Sequence, residues 1–190
     1  MITRNDIENG EIYVIEDFPT NKDQIDFWYA AQSSKYEYGQ RSDSYDGRSQ
    51  KRLSCHFDPF DFVKTNFWKK LEGIIEYPIG LIEAYINIAE SHTLTFPHCD
   101  NKSNEMSVLL YLNQEWHRSF GGYTVFFEGM TGDKIKKTVI PSTGRTVVFN
   151  GSDFHMALPP THVAPVPRFT LALKTKWMEK DKDEKIDSSS

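Results

Sequence analysis

Apolar and polar positions along the chain follow two rhythms, with the change near residue 80. Residues 11–18 (EIYVIEDF) read as a first strand. Thr20 and Asp23 then make a capping pair that opens a helix to about Ser33, with Ile25, Trp28 and Tyr29 on one face. Asp58-Pro59 starts a second helix, an N-cap followed by proline at the first helical position. Val63, Phe67, Leu71 and Ile74 follow at i, i+4, i+8 and i+11, one apolar stripe that ends before Pro78. Between the helices, residues 33–51 are polar, contain glycine and are studded with tyrosine. They read as a long loop of the kind that serves as a lid or a binding segment.

Beyond residue 80 the period is two. Segments 81–89, 106–113, 123–128, 135–140, 145–149 and 168–177 read as strands separated by Gly, Pro, Asn and Ser. Six strands with no helical pattern between them predict an antiparallel sandwich or barrel. The fold class is thus mainly β with flanking helices (α+β), the two N-terminal helices packed on one sheet from outside. The expected organisation is a single domain over residues 1–177, in which 1–79 hold the N-terminal strand, helices and candidate lid, and 80–177 the β core. Residues 178–190 mix charges without an apolar anchor and are expected to be a disordered tail.

Composition narrows the function classes. The chain has 22 basic and 27 acidic residues, net −5, which argues against a non-specific grip on a nucleic-acid backbone. No apolar run approaches the ~18 residues of a membrane span, and the start lacks the core of a secretory signal. Two cysteines, Cys55 and Cys99, cannot build a disulfide framework and suit a reducing, cytoplasmic compartment. Aromatics make up 14% of the chain, and core packing on strand faces and helix stripes accounts for most of them.

Chemistry enters through spacing. His98 and Asp100 stand two apart, and His155 follows the strand Thr-Val-Val-Phe farther along. Two imidazoles and a carboxylate are the facial triad of non-heme iron(II), which leaves coordination positions open. The i, i+2 spacing points both side chains of an extended segment to one side. A His-x-Asp alone is ordinarily surface decoration; Arg168 changes the weighting. Alternation puts Phe169, Leu171 and Leu173 on one face of its strand and Arg168, Thr170, Ala172 and Lys174 on the other. An arginine beside small residues leaves room for an anion, and its guanidinium fork suits a carboxylate.

The order His98-x-Asp100, Tyr111-Leu-Asn-x2-Trp116-x4-Gly121-Gly122, His155 and Arg168 resembles the 2-oxoglutarate- and iron(II)-dependent dioxygenases, most closely their prolyl 4-hydroxylase-like branch. The resemblance covers roughly residues 80–177. It implies a double-stranded β-helix (a jelly roll, cupin-like) with the metal at one mouth. It also implies that His98, Asp100 and His155 hold Fe(II) and that Arg168 pairs with the far carboxylate of 2-oxoglutarate. Tyr111 matches a tyrosine that donates to that carboxylate, and Tyr85 one near the co-substrate. Asn87, two residues on, shares the face of Tyr85 and is a polar contact candidate. O2 and, as reductant, ascorbate complete the implied set. The implied outcome is decarboxylation of 2-oxoglutarate to succinate and CO2 with hydroxylation of an aliphatic carbon such as peptidyl or free proline. Related halogenases lack a carboxylate at the triad's middle ligand, so Asp100 argues for oxygen transfer. The sequence departs from the pattern at Tyr123, where glutamate often follows the paired glycines, and Tyr123 receives no role.

Other candidates are weaker. His56, His92, His117 and His162 read as surface or loop histidines, with His162 the one rival ligand. Lys174 sits where nucleic-acid-repairing relatives carry a second arginine, which keeps oxidative demethylation as an alternative. A non-catalytic jelly-roll binding module and a zinc-dependent cupin-like hydrolase are the others. Arg41, Arg48, Lys51 and Arg52 make the Tyr36–Arg52 segment basic, suited to gripping a peptide or anionic small molecule over the pocket. Nothing in the sequence sets an oligomeric state.

Overall fold

The computed structural model describes residues 1–43, 49–93, 95–100 and 105–179, with the backbone alone at 39–43 and 49–52. The N-terminal part places α1 (Arg4–Glu8), β1 (Tyr13–Ile15), α2 (Asn21–Ser33), β2 (Glu37–Asp43), β3 (Ser49–Phe57), α3 (Pro59–Phe62) and α4 (Asn66–Ile74). The C-terminal part is strand-rich: β4 (Ile79–Ala89), β5 (Glu105–Tyr111), β6 (Thr124–Phe127), β7 (Ile135–Val139), β8 (Thr146–Asn150), β9 (His155–Ala157) and β10 (Arg168–Trp177). A seven-stranded sheet runs β1-β8-β5-β10-β4-β3-β2 and a three-stranded sheet β7-β6-β9, with every pairing antiparallel. Two sheets facing each other, with helices outside the larger one, are the double-stranded β-helix the motifs implied.

Strand alternation builds the layers. Ile86, Val108, Leu110, Leu171 and Leu173 face outward and are buried beneath Phe27, Phe62, Phe67, Trp68 and Leu71 of the helices. Val147, Phe149 and Tyr111 face inward and pack with Phe126 and Val139 of the smaller sheet. The aromatic helix residues lock together: Phe27 stacks on Phe62 with ring centroids 5.8 Å apart, and Phe67 meets Phe27 edge-on at 5.7 Å.

The helices follow their caps. Thr20 and Asp23 close the expected capping box on α2, and Thr3 with Asp6 forms an unexpected one on α1. The expected apolar face of α2 is corrected: Ile25 and Tyr29 are 48% and 67% exposed, while Phe27 and Ala31 are buried. Only Trp28 of the expected three packs inward, edge-on to Phe169 at 5.6 Å. The aromatic cluster around Phe27 buries more apolar surface than the flanking positions would, and it sets the helix rotation. The second expected helix is two pieces, because the Thr65 hydroxyl accepts from the Trp68 N–H at 3.2 Å and starts a fresh helix.

The expected loop over 33–51 is also corrected. Its flanks form β2 and β3, which extend the larger sheet beyond β4 with Glu37 opposite Ser54 and a register shift between Tyr38 and Gln40. The sequence of β2 has no period-two alternation, whereas in β3 Leu53, Cys55 and Phe57 alternate with Ser54 and His56, a short strand signal obscured by the polar run before it. Tyr36 is held against α2: its hydroxyl donates to the Ala31 carbonyl at 2.8 Å, and burial pushes its pKa to about 12. Tyr38 is exposed on β2. Tyr45 and Arg48, with the side chains of Arg41, Lys51 and Arg52, lie outside the described residues, as do residues 180–190. The expected strand over 11–18 shortens to β1. Among the described residues no helix is long and apolar enough to cross a membrane.

Candidate active site

A short antiparallel bridge solves the long separation between the two histidines. The His98 N–H donates to the His155 carbonyl at 2.8 Å and the His155 N–H to the His98 carbonyl at 2.9 Å; the Asp100 N–H reaches the Gly151 carbonyl at 2.9 Å. This pairing lays residues 98–100 alongside residues 151–155, ending at the first residue of β9, and brings the imidazole centroids to 4.6 Å. His98 Nε2 lies 3.7 Å from Asp100 Oδ1, and His155 Nε2 lies 3.7 Å from Asp100 Oδ2. One ligand-type atom from each of the three lies within 4.8 Å of the others.

The ring nitrogens are assigned by their partners. His98 Nδ1 is 2.9 Å from the Phe96 carbonyl and His155 Nδ1 2.9 Å from the Asp153 carbonyl. A carbonyl oxygen only accepts, so each Nδ1 carries the proton and each Nε2 offers its lone pair toward Asp100. Two oriented neutral imidazoles and one carboxylate fit a divalent metal of the iron type. Burial alone would raise the Asp100 carboxyl, but the Lys174 ammonium above all holds it well below the usual carboxylate range, and His98 and His155 add to this only when their imidazoles are protonated. Asp100 Oδ2 accepts from the Ser107 hydroxyl at 2.7 Å and from the Lys174 ammonium. Cys99 turns the other way, its thiol toward the Ser152 carbonyl at 3.1 Å.

The pocket at the triad holds about 600 Å³ of empty space including its open mouth. Its wall is the inner face of the larger sheet. Tyr85 and Leu109 flank Ala172, while Asn87 and Tyr111 flank Thr170. Arg168 lines the same pocket and is only 4% exposed, one guanidinium nitrogen donating to the Gly122 carbonyl and, at 3.3 Å, to the Leu158 carbonyl. Asn87 Oδ1 and Thr170 Oγ1 are buried there with no protein hydrogen-bond partner. A guanidinium and two orphaned polar atoms suit a polar, anionic guest such as a dicarboxylate.

The glycine pair explains how Arg168 is seated. Gly122 has φ +72°, and a Cβ there would lie 3.3 Å from both Arg168 Cδ and Trp116 Cζ2. Trp116 Nε1 donates to the Gly121 carbonyl at 3.0 Å, and Asn113 Oδ1 accepts from the Phe169 N–H at 2.9 Å. The residues from Tyr111 to Gly122 therefore build the wall around the arginine.

Sequence reasoning and geometry differ in places. His98, Asp100, His155, Arg168, Tyr85 and Asn87 all line the pocket, but Tyr111 does not. Its hydroxyl is bonded to Thr124 Oγ1 at 2.7 Å, and Thr124 reaches the wall instead. Ser107, Thr124, Thr93 and Thr95 were missed, because small hydroxyl residues carry no spacing signal until the register is known. His56 packs against Tyr85 with ring centroids 5.3 Å apart and tilted by 35°, and His162 is exposed and outside the triad.

Comparison with known proteins agrees with this geometry. Residues 84–179 match the family model of the 2OG-Fe(II) oxygenase superfamily, and the chain belongs to that superfamily. Fold and site thus define a member of the iron- and 2-oxoglutarate-dependent oxygenases. Its fold is similar to that of a Pseudomonas putida prolyl-4-hydroxylase, at TM-score 0.65 and 16% identity over 93% of this chain and 97% of that one. A Trichoplax adhaerens prolyl hydroxylase, solved with a hypoxia inducible factor peptide fragment, superposes at TM-score 0.64 and 16% identity over 91% and 86%. HygX from Streptomyces hygroscopicus, solved with nickel and 2-oxoglutarate, gives 0.66 and 10% over 94% and 88%. No curated protein sequence matches the chain.

Proposed function

We propose that the protein hydroxylates an aliphatic carbon, with peptidyl or free proline the first substrate class to test. The observation that carries this reading is the grouping of His98, Asp100 and His155 in one pocket with a buried Arg168. His98 and His155 would hold Fe(II) through Nε2 and Asp100 through a carboxylate oxygen. Arg168 would take the far carboxylate of 2-oxoglutarate, with Asn87, Thr170 and Tyr85 as neighbours along its length. Tyr111 would act one step removed, orienting Thr124 through its hydroxyl. When bound, the metal supplies the redox chemistry by which O2 converts 2-oxoglutarate to succinate and CO2 and oxidises a substrate C–H bond.

The chain's own residues do the rest. They fix ligand tautomers through the Phe96 and Asp153 carbonyls, orient the dicarboxylate by a charged fork, and wall out water with Leu109, Ala157 and Ala172. Residues 1–177 serve as one catalytic domain in this reading. The paired strands β2 and β3 are the candidate grip on substrate, because β3 sets Ser54 and His56 beside Asn87 and Tyr85. Ascorbate belongs to the same reading as a reductant that stimulates turnover.

The test is succinate release from 2-oxoglutarate by iron-loaded protein, screened with proline-containing peptides and free amino acids. Calorimetric titration of 2-oxoglutarate into manganese-loaded protein stands beside it. Binding that vanishes in Arg168→Ala supports the reading; a metal-loaded protein with no affinity for 2-oxoglutarate overturns it.

A further inference from the structure

We propose that Lys174 sets how tightly the triad holds its metal: its ammonium competes with a divalent cation for Asp100 and keeps that cation exchangeable. The inference rests on the metal-binding role given above to His98, Asp100 and His155.

Lys174 projects from β10 onto the inner face, the same face as Arg168, Thr170 and Ala172. Its register partner on β5 is Ser107. Three groups converge: the ammonium contacts Asp100 Oδ2, the Ser107 hydroxyl donates to that same oxygen at 2.7 Å, and the ammonium and hydroxyl are 3.5 Å apart. The lysine is 8% exposed, so its charge is committed to this spot rather than to water. Long cationic side chains ordinarily keep the head solvated. A buried head therefore needs a reason, and the Asp100 carboxylate supplies one.

Charge counting gives the consequence. Two neutral imidazoles and a carboxylate make a ligand set of −1, and Lys174 brings that local sum to zero. A dication held by His98, Asp100 and His155 would share Asp100 with a fixed positive charge. At a few ångströms, even with an effective dielectric near 20, such repulsion changes an association constant by about tenfold or more. The ammonium also makes Asp100 a less basic ligand, the reverse of outer partners that raise ligand basicity and tighten metal sites. Ser107 contributes direction to the same oxygen but no charge, which separates the two effects.

The test compares wild type, Lys174→Met, Lys174→Arg and Ser107→Ala. Each is treated with chelator and titrated with Mn(II) at pH 8, free metal being read by electron paramagnetic resonance. Lys174→Met is expected to bind Mn(II) about tenfold tighter or more. Lys174→Arg should return to the wild-type affinity, and Ser107→Ala should shift it far less than Lys174→Met. Equal or weaker binding by Lys174→Met overturns the proposal, as does a Ser107→Ala shift as large as that of Lys174→Met. Melting of the chelated proteins covers poor folding of Lys174→Met: its loss of Tm should largely disappear in an Asp100→Asn background, and an undiminished loss counts against the pairing. Wild type that binds no Mn(II) would instead sink the metal-site reading itself.

Discussion

Strand β10 carries two faces of opposite character within ten residues. Outward, Phe169, Leu171 and Leu173 are buried in the apolar core under α2, α3 and α4. Inward, Arg168, Thr170, Ala172 and Lys174 line the pocket that has the triad at its wall. The outer face asks only for apolar volume, and neighbours of similar shape satisfy it. The inner face asks for particular atoms at particular places, since its buried cations depend on named partners. One strand thereby fixes the pocket to the most cohesive part of the molecule, which holds the site's geometry still.

The largest effect expected from separating these faces falls on the triad. His155→Ala should abolish iron-dependent succinate formation while leaving the outer core, and so most of the thermal stability, in place. A collapse of the Tm in parallel with activity would show that the two faces are not independent. From the outer side, Leu171→Ala should cost roughly 2–5 kcal/mol of stability through lost contacts and a cavity. Its affinity for 2-oxoglutarate in the fraction still folded should stay near wild type, by calorimetry well below the new Tm. A large affinity loss there would mean the core shapes the pocket more finely than the layer picture allows.

At the far end of the strand, Arg168→Lys exchanges a two-pronged contact for a point charge. The expected result is a KM for 2-oxoglutarate raised about tenfold, in line with the ~1.5 kcal/mol of a charged hydrogen bond, with kcat changed less. Steady-state succinate assays at saturating substrate measure the split. A fall in kcat with unchanged KM would move Arg168 from co-substrate binding to another task.

The same contrast decides what the sequence could reveal. The outer face is written in period-two apolar residues, so β4, β5, β8 and β10 could be read directly, and the alternation of β10 held residue by residue. The triad and Arg168 could be read because their residue types and order are restrictive. Strand β2 could not, because its sequence is polar without alternation; β3 is legible only over Leu53, Cys55 and Phe57, behind a polar run that reads as loop. The exposed Ile25 and Tyr29 misled because α2 offers apolar residues all round, and only the aromatic cluster chooses among them. Ser107 and Thr124 became visible only through register: Ser107 matters because it lies opposite Lys174, and Thr124 because it meets the Tyr111 hydroxyl. Spacing along one chain carries no information about which strand lies next to which.

The smallest effect lies behind the triad, at Asp153, whose backbone carbonyl orients His155. Burial raises its carboxyl above the ordinary value even though Lys136 stands 3.5 Å away, and Oδ2 is buried without a protein partner. A carboxyl that holds its proton more tightly when folded binds more protons in the native state than in the unfolded one. Stability therefore falls as pH rises through the window from the ordinary value, near 3.9, to the raised one, and the penalty persists at neutral pH. Asp153→Asn keeps the backbone carbonyl and removes the ionisation. The variant should melt slightly higher than wild type at pH 7, and the gap should close as pH falls below about 4. A gap of constant size down to pH 3 would assign the difference to packing or to lost contact with Lys136. A lower Tm at pH 7 would show that the Lys136 pairing outweighs burial, and that the buried carboxylate supports the strand that carries His155.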